Sequence, residues 1–172
     1  MTDLVKNTLK KFILNLIYKT KLKNKSKKNF NKFSNINPSI FVIVDSRLNI
    51  GLKDLDFLNE VFKISDEAIT FLWYKSHINR DLPNHFNFVR NDISFSGNVT
   101  NSIFNNNYDL LLNLYQKDSV SMKLLSLNVR NNFSIGFTPV DIELNDIVFD
   151  FDIQDIKLFR KELIKYLKII TN

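Results

Sequence analysis

Cysteine is absent from the sequence, which excludes disulfides, thiolate metal sites and a cysteine nucleophile. Glycine is scarce: Gly51, Gly97 and Gly136 lie too far apart for a GxGxxG fingerprint or a Walker A loop. No uninterrupted apolar run approaches the roughly 20 residues that span a bilayer. The run FILNLIY near the start is too short for a signal peptide and is followed by lysines. We therefore expect a cytoplasmic protein that binds no nucleotide cofactor.

Patterns that hold metal ions or carry catalysis are also missing. The two histidines, His77 and His85, lie in an irregular segment without an HExxH pattern, and we interpret them as loop residues. The acidic run from Asp141 to Asp155 lacks the glycine and the spacing of an EF-hand loop, so helix capping and a solvated edge explain it better. No GxSxG motif is present. The sequence thus predicts no metal and no cofactor, and it leaves open whether the protein is an enzyme.

Positive charge is concentrated at the front of the chain. Residues 1–32 hold ten lysines against one acid, a charge of +9, whereas residues 33–172 carry a charge of −3. Such an asymmetry indicates a polyanionic or membrane-surface partner. The lysines that we expect to contact it are Lys10, Lys11, Lys19, Lys21, Lys23, Lys25, Lys27, Lys28 and Lys32.

An amphipathic helix and a linker precede the main domain. Residues 3–20 carry apolar side chains at helical spacings of three and four. This apolar stripe consists of Val5, Leu9, Phe12, Ile13, Leu16 and Ile17. Residues 21–37 are rich in lysine and asparagine and have no periodicity, which is typical of a linker. We therefore divide the chain into a basic arm, residues 1–37, and a single domain, residues 38–172.

Strands alternate with helices from residue 38 onwards. The predicted strands are residues 40–44, 68–74, 92–97, 108–115 and 132–137, with an edge strand within 145–151. The predicted helices are residues 53–63, a short one near 99–104, 119–129 and a terminal helix capped by Asp152. Such alternation predicts a Rossmann-like α/β domain with a mostly parallel sheet of about five strands in the order 3-2-1-4-5.

Polar side chains follow several strands at the carboxyl edge of the sheet, where open parallel sheets bind ligands. The candidate ligand-binding residues are Asp45, Ser46, Arg47, Asn113, Tyr115 and Thr138. Asp45 ends an apolar strand, so it either binds a ribose, a sugar hydroxyl or a cation, or caps a turn. Trp73 and Tyr74 end another strand, where core packing is favoured over base stacking.

Three stretches carry a resemblance to known proteins: FVIVD, YDLLLNLYQKDSVSMKLLSLNVRNNFSIGF and LNDIVFDFDIQDIKLFRKELIKYLKII. With them the chain resembles a family of small proteins of unknown function found in Bacteroidetes, whose members also start with a basic helical segment. The chain reads IELND where the family pattern has a basic residue before LND. DLLLNLY and NFSIGF are also distantly similar to the N-terminal Rossmann-like half of heptosyltransferase-type enzymes. That likeness implies the fold, and the chain has no room for the half that carries the nucleotide-sugar site.

Three functional hypotheses follow. The first, which we favour, is a non-catalytic binding module whose basic arm contacts RNA, the ribosome or another polyanion, with Phe30 and Phe33 stacking on bases. The second places the amphipathic helix on a membrane surface, although packing on the domain or on a dimer partner explains its stripe equally well. The third is a small-ligand binding or transferase-like enzyme for a sugar or nucleotide, with its site near Asp45. The oligomeric state is left open.

Overall fold

The centre of the fold is a parallel β-sheet, seen in a computed structural model that describes residues 3–25, 37–75 and 82–170, with side chains from residue 6 to residue 169 of those ranges. The six strands of the described residues are β1 (Ile40–Asp45), β2 (Ile69–Tyr74), β3 (His85–Phe88), β4 (Asn107–Leu114), β5 (Arg130–Phe137) and β6 (Ile147–Phe149). Their order is β3-β2-β1-β4-β5-β6 and every neighbouring pair is parallel. The predicted α/β class is confirmed, as are the predicted places of all the strands except the third, including the edge strand predicted within residues 145–151.

Helices cover both faces of the sheet. The helices are α1 (Asp3–Lys23), α2 (Leu52–Leu55), α3 (Phe57–Phe62), α4 (Val120–Asn128) and α5 (Ile156–Ile170). Since side chains alternate along a strand, β1 sends Val42 and Val44 to the core under α2, α3 and α5. It sends Phe41 and Ile43 to the core under α1 and α4. Both faces of the sheet are therefore shielded from solvent by helices, as in doubly wound parallel sheets.

The third strand differs from the prediction. Residues 92–97 were predicted as a strand, but the third strand is His85–Phe88, in a segment whose sequence we interpreted as irregular. Gly97 has a φ of 74°, and the Ser94 hydroxyl donates to the Asn98 carbonyl, so this stretch closes into a turn. The alternation of apolar residues there reflects an isolated antiparallel bridge between Ile93 and Val99, and not a strand of the sheet.

The terminal helix begins later than predicted. Asp152 accepts a hydrogen bond from the backbone of Gln154, which forms a turn, whereas Asp155 accepts one from Leu158 and caps α5. Apolar spacing predicts a buried face on this helix made of Ile156, Phe159, Leu163, Tyr166, Leu167 and Ile170. Phe159, Leu163 and Leu167 are buried against the sheet, and the side chain of Ile170 lies outside the described residues. Trp73 and Tyr74, predicted to pack in the core, are fully buried.

Helix α1 packs on the domain through a face that coincides only in part with the predicted stripe. Leu14 and Tyr18 are buried against α4, with Ile17 and Leu22 partly buried beside them. Three residues of the predicted stripe point away from the domain instead: Leu9, Phe12 and Leu16 are 45%, 61% and 52% exposed. No described helix, α1 included, combines the length and the apolar character needed to cross a membrane.

Three lysine side chains, two on α1 and one just after it, form hydrogen bonds to backbone carbonyls of the domain. The Lys10 ammonium donates to the carbonyl of Arg90 at 3.2 Å. The Lys21 ammonium donates to the carbonyl of Gly97, and the Lys25 ammonium donates to the carbonyl of Leu144. Burial lowers the pKa of Lys21 and of Lys25. The separation of the chain into residues 1–37 and 38–172 stays a prediction, and residues 26–36 lie outside the described part.

Candidate functional site at the carboxyl edge of the sheet

The Asp45 carboxylate at the end of β1 is occupied by an internal partner. Arg47 folds back on it, with Nε 2.7 Å from Oδ1 and Nη2 2.6 Å from Oδ2, and the backbone amide of Arg47 also donates to Oδ1. Asp45 is buried, whereas about a third of the Arg47 side chain is exposed. Among the described residues, the buried hydroxyl of the adjacent Ser46 has no hydrogen-bond partner. The pair therefore closes the turn after β1, as a turn cap does.

Asn113 and Tyr115 belong to a buried polar network beneath α4. The Asn113 amide donates to Asn145 Oδ1 at 2.6 Å, and Ser126 Oγ donates to Asn113 Oδ1 at 2.7 Å. The Tyr115 hydroxyl is hydrogen-bonded to the same Ser126 oxygen. Burial raises the pKa of Tyr115, so its hydroxyl stays neutral. This network ties α4 to β4 and to the segment that follows β5.

Gly136 leaves the room that this network needs. A Cβ atom at Gly136 would lie 2.6 Å from Cγ of Asn145, too close for two carbon atoms. The Asn145 side chain therefore rests directly on the backbone of β5. Thr138, the last of the predicted ligand residues, donates its hydroxyl to Asp150 at the surface. The side chains of Asp45, Arg47, Asn113, Tyr115 and Thr138 are thus engaged with one another or with neighbours, whereas the Ser46 hydroxyl has no hydrogen-bond partner among the described residues.

A groove of about 710 Å³, which none of the predicted ligand residues lines, opens between α1, the start of α4 and the turn after β5. One lip is formed by Phe12 and Leu16 of α1, and the other by Ile142, which is 70% exposed. Its volume lies within the range of small-molecule sites. We call this feature the α1 groove; its lining also includes Asn15, Tyr18, Lys19, Leu22, Asp118, Lys123, Asp141 and Glu143.

The floor of the α1 groove is an ion network built around Lys123. This residue is only 6% exposed, and its ammonium lies 2.7 Å from Asp118 Oδ1 and 3.1 Å from Asp141 Oδ2. The Tyr18 hydroxyl donates to the same Asp141 oxygen at 2.6 Å. The ammonium also lies 4.5 Å from the centre of the Tyr18 ring, a cation–π contact. Helices α1 and α4 are thus joined through one carboxylate.

The network fixes the charge state of its members. Burial, reinforced by the hydrogen bond to Asp141, raises the pKa of Tyr18, so the hydroxyl remains a donor. Burial would raise the pKa of Asp141, but the hydrogen bonds from Tyr18 and Lys123 outweigh it and lower that pKa. Burial would lower the pKa of Lys123, but hydrogen bonds to Asp118 and Asp141 outweigh it and raise that pKa. Asp141 and Lys123 are therefore charged at neutral pH, and the Tyr18 hydroxyl is neutral.

We expect Asp141→Asn to destabilise the protein at pH 7 and less so in acid. Because the pKa of Asp141 is lower in the folded protein than its ordinary 3.8, the carboxylate stabilises the fold above that value, and the contribution disappears as the pH falls through the folded-state pKa. Urea unfolding of both proteins from pH 7 downwards measures the difference. Asp56→Asn, at the exposed joint between α2 and α3, is the control. A difference that stays constant with pH would contradict the prediction.

The predicted polyanion-binding lysines fall into three groups. Lys10, Lys21 and Lys25 hold α1 on the domain, as described above. Lys11, Lys19 and Lys23 are exposed on α1, as is Lys6, which the prediction omitted. Lys27, Lys28 and Lys32 lie outside the described residues, as do His77, Phe30 and Phe33. His85 is partly buried, and its Nδ1 accepts a hydrogen bond from the Trp73 indole.

Sequence reasoning missed the ion network at the floor of the α1 groove, although it singled out Phe12, Leu16 and Lys19 of the lining. The position of Asp118 before the helical pattern of residues 119–129 indicates only a helix cap, and Asp141 was interpreted as part of a solvated acidic run. Lys123 was not singled out, because a lysine inside an apolar helical pattern is usually solvated. The available signal was that Lys123 falls within the otherwise buried run of α4, where a charge needs a partner. Among the described residues no cluster of acids and histidines has the arrangement of a metal site.

Comparisons with other proteins identify a family and no activity. A model described as a family of unknown function, DUF6913, matches residues 10–170, and the chain belongs to that family. No curated protein and no solved structure matched the chain. Membership of a family of unknown function is thus confirmed. The occurrence in Bacteroidetes and the likeness to heptosyltransferase-type enzymes stay predictions.

Proposed function

We propose that this member of the DUF6913 family is a non-catalytic binding module that docks on an anionic membrane surface through the outer face of α1. The observation that carries the proposal is the outward position of Leu9, Phe12 and Leu16 on a helix that packs against the domain. A cytoplasmic location, expected from the sequence, fits attachment to the inner surface of a membrane.

The apolar stripe on α1 suits the interface of a bilayer. Leu9, Phe12 and Leu16 are spaced by three and four residues, so they lie along one line of the helix. Single exposed apolar residues are common on proteins, but an aligned set on one helix marks an interaction surface. An amphipathic helix of this kind lies in the plane of the interface with its apolar side chains in the acyl boundary.

Exposed lysines surround the stripe with charge of the sign that an anionic surface attracts. Lys19 and Lys23 follow Leu16 along the outer side of α1, and Lys6 and Lys11 are exposed near its start. Each lysine close to an anionic bilayer contributes about 1 kcal/mol of attraction. Neither component binds strongly alone, since three side chains bury little area, but together they support reversible docking.

The RNA hypothesis has less support from the described residues. Leu9 and Leu16 are aliphatic and cannot stack on bases, which leaves Phe12 as the only aromatic residue of the stripe. Lys10, Lys21 and Lys25 direct their ammonium groups to the domain, so fewer lysines are free for phosphates than the sequence implied. A small-ligand site at Asp45 would require a ligand that displaces Arg47.

We expect Leu16→Glu to weaken binding to anionic vesicles by at least about tenfold, because a charge replaces an apolar side chain at the acyl boundary. The measurement is flotation of the full chain with vesicles of phosphatidylglycerol and phosphatidylcholine. Leu82→Glu is the matched control, since Leu82 is 49% exposed, close to the value for Leu16, but does not lie on α1.

Equal binding of the Leu16→Glu and Leu82→Glu proteins would contradict the proposal, as would binding that does not depend on the anionic lipid. The same proteins should be titrated with single-stranded RNA at several salt concentrations. RNA binding that weakens steeply with salt and is unchanged by Leu16→Glu would favour the RNA hypothesis instead.

A further inference from the structure

We propose that the α1 groove binds the headgroup of an aminophospholipid, phosphatidylethanolamine, from the membrane on which α1 docks. The inference rests on the proposed membrane function and adds the lipid class. Two observations carry it: the groove is continuous with the apolar stripe of α1, and its floor presents charges of both signs.

The groove opens where a lipid would enter it. Phe12 and Leu16 belong both to the outward stripe and to one lip of the groove, while Ile142 forms the other lip. With α1 lying in the interface, both lips meet the acyl boundary and the floor lies at the depth of the headgroups. A lipid would thus keep its chains against apolar side chains while its headgroup reaches Lys123 and the surrounding carboxylates.

The charges of the groove match a zwitterion with a primary ammonium group. Asp118, Asp141 and Glu143 face two lysines, Lys19 and Lys123, which leaves one carboxylate in excess. Lys123 contacts Asp118 through Oδ1 and Asp141 through Oδ2, so each carboxylate keeps a second oxygen with lone pairs to offer. An ammonium group donates three hydrogen bonds and satisfies such a pair of acceptors. The exposed Lys19 also lines the groove and supplies a cation for the phosphate.

Choline and glycerol headgroups match this floor less well. The trimethylammonium group of phosphatidylcholine has no N–H donor, so it cannot form charge-assisted hydrogen bonds with the two carboxylates. The headgroup of phosphatidylglycerol has no cationic group that could pair with the extra carboxylate of the groove. The groove therefore distinguishes lipids by the hydrogen-bond donors of the headgroup, whereas the lysines of α1 respond to surface charge alone.

A titration of the full chain with monomeric short-chain lipids, followed by NMR, tests the inference without a bilayer. We expect dihexanoyl-phosphatidylethanolamine to bind about tenfold more tightly than dihexanoyl-phosphatidylcholine, because charge-assisted hydrogen bonds are lost with choline. Asp118→Asn should abolish this preference with little risk to the fold, since the Asp118 side chain is largely exposed. Asp56→Asn, on the opposite face of the sheet, should leave it intact. Glu143→Gln supplies a second exposed variant.

The inference is overturned if neither short-chain lipid binds, if both bind equally, or if the preference survives Asp118→Asn. Its failure is distinguishable from that of the membrane proposal, because the vesicles used there contain no phosphatidylethanolamine. Vesicle binding without lipid preference leaves the docking function and removes the groove as a headgroup site. A preference for the short-chain ethanolamine lipid without vesicle binding supports the groove as a headgroup site and contradicts the docking of α1 on the membrane.

Discussion

Gly136→Ala is expected to lower the free energy of unfolding by about 3 kcal/mol or more. The new methyl group would overlap the Asn145 side chain, so either the strand or the amide must move. Moving the amide breaks its hydrogen bond with Asn113 in the buried network beneath α4, which leaves polar groups without partners. The destabilisation from overpacking and the destabilisation from the lost buried hydrogen bond therefore add to each other. Chemical denaturation followed by circular dichroism measures the effect.

Gly51→Ala is the matched control for that experiment. A Cβ atom at Gly51 would lie 3.5 Å from the Asp54 carboxylate, an ordinary contact, and the residue precedes α2 with an extended backbone. We expect its effect to stay within about 1 kcal/mol. A Gly136→Ala protein as stable as the Gly51→Ala protein would contradict the role given to the close packing of Asn145 on β5.

Arg47→Ala is expected to destabilise the protein by about 3 kcal/mol, because it leaves the buried Asp45 carboxylate without its cation. This magnitude is at the lower end for buried pairs, since part of the Arg47 side chain already contacts water. Denaturant unfolding at neutral pH measures the loss. A loss of this size would mean that the Asp45–Arg47 pair stabilises the turn after β1.

The double variant Asp45→Asn/Arg47→Met separates charge from packing. It removes both ions while keeping side chains of similar size, so we expect it to recover at least half of the stability lost in Arg47→Ala. If the single and double variants are equally unstable, the missing contacts of the Arg47 side chain, and not an uncompensated charge, dominate. Such a result would contradict the electrostatic explanation of the pair.

The strands that lie between two helical layers were predictable because burial on both faces gives them continuous apolar runs. The stretches FVIVD and YDLLLNLY are of this kind, and both form strands in the predicted positions. β3 is an edge strand of four residues with a polar residue inside it, so its sequence lacks that signal. Apolar and polar side chains alternate in residues 92–97 as they do in a strand, but these residues form a local turn through Gly97 instead.

The candidate site was less predictable, because it depends on which face of α1 meets the domain. Periodicity shows that a helix has an apolar stripe but not that the stripe is the buried face. Leu14 and Tyr18 lie outside the predicted stripe, but they pack against α4, and Tyr18 also donates a hydrogen bond to Asp141. The hydrogen bonds of Lys10 and Lys21 to the domain favour the same orientation of α1 about its axis. Contacts of this kind join residues more than 70 positions apart, and no local pattern reports them.

The attachment of α1 has a consequence for the order in which the chain becomes structured during synthesis. Every hydrogen bond described here between an α1 or Lys25 side chain and the domain reaches a residue at or beyond Arg90, and the bond from Tyr18 reaches Asp141. A ribosome adds about 5–20 residues per second, so α1 leaves it several seconds before its binding surface exists. During that interval the nascent helix exposes both of its faces, and a nearby bilayer would meet it before the rest of the domain does.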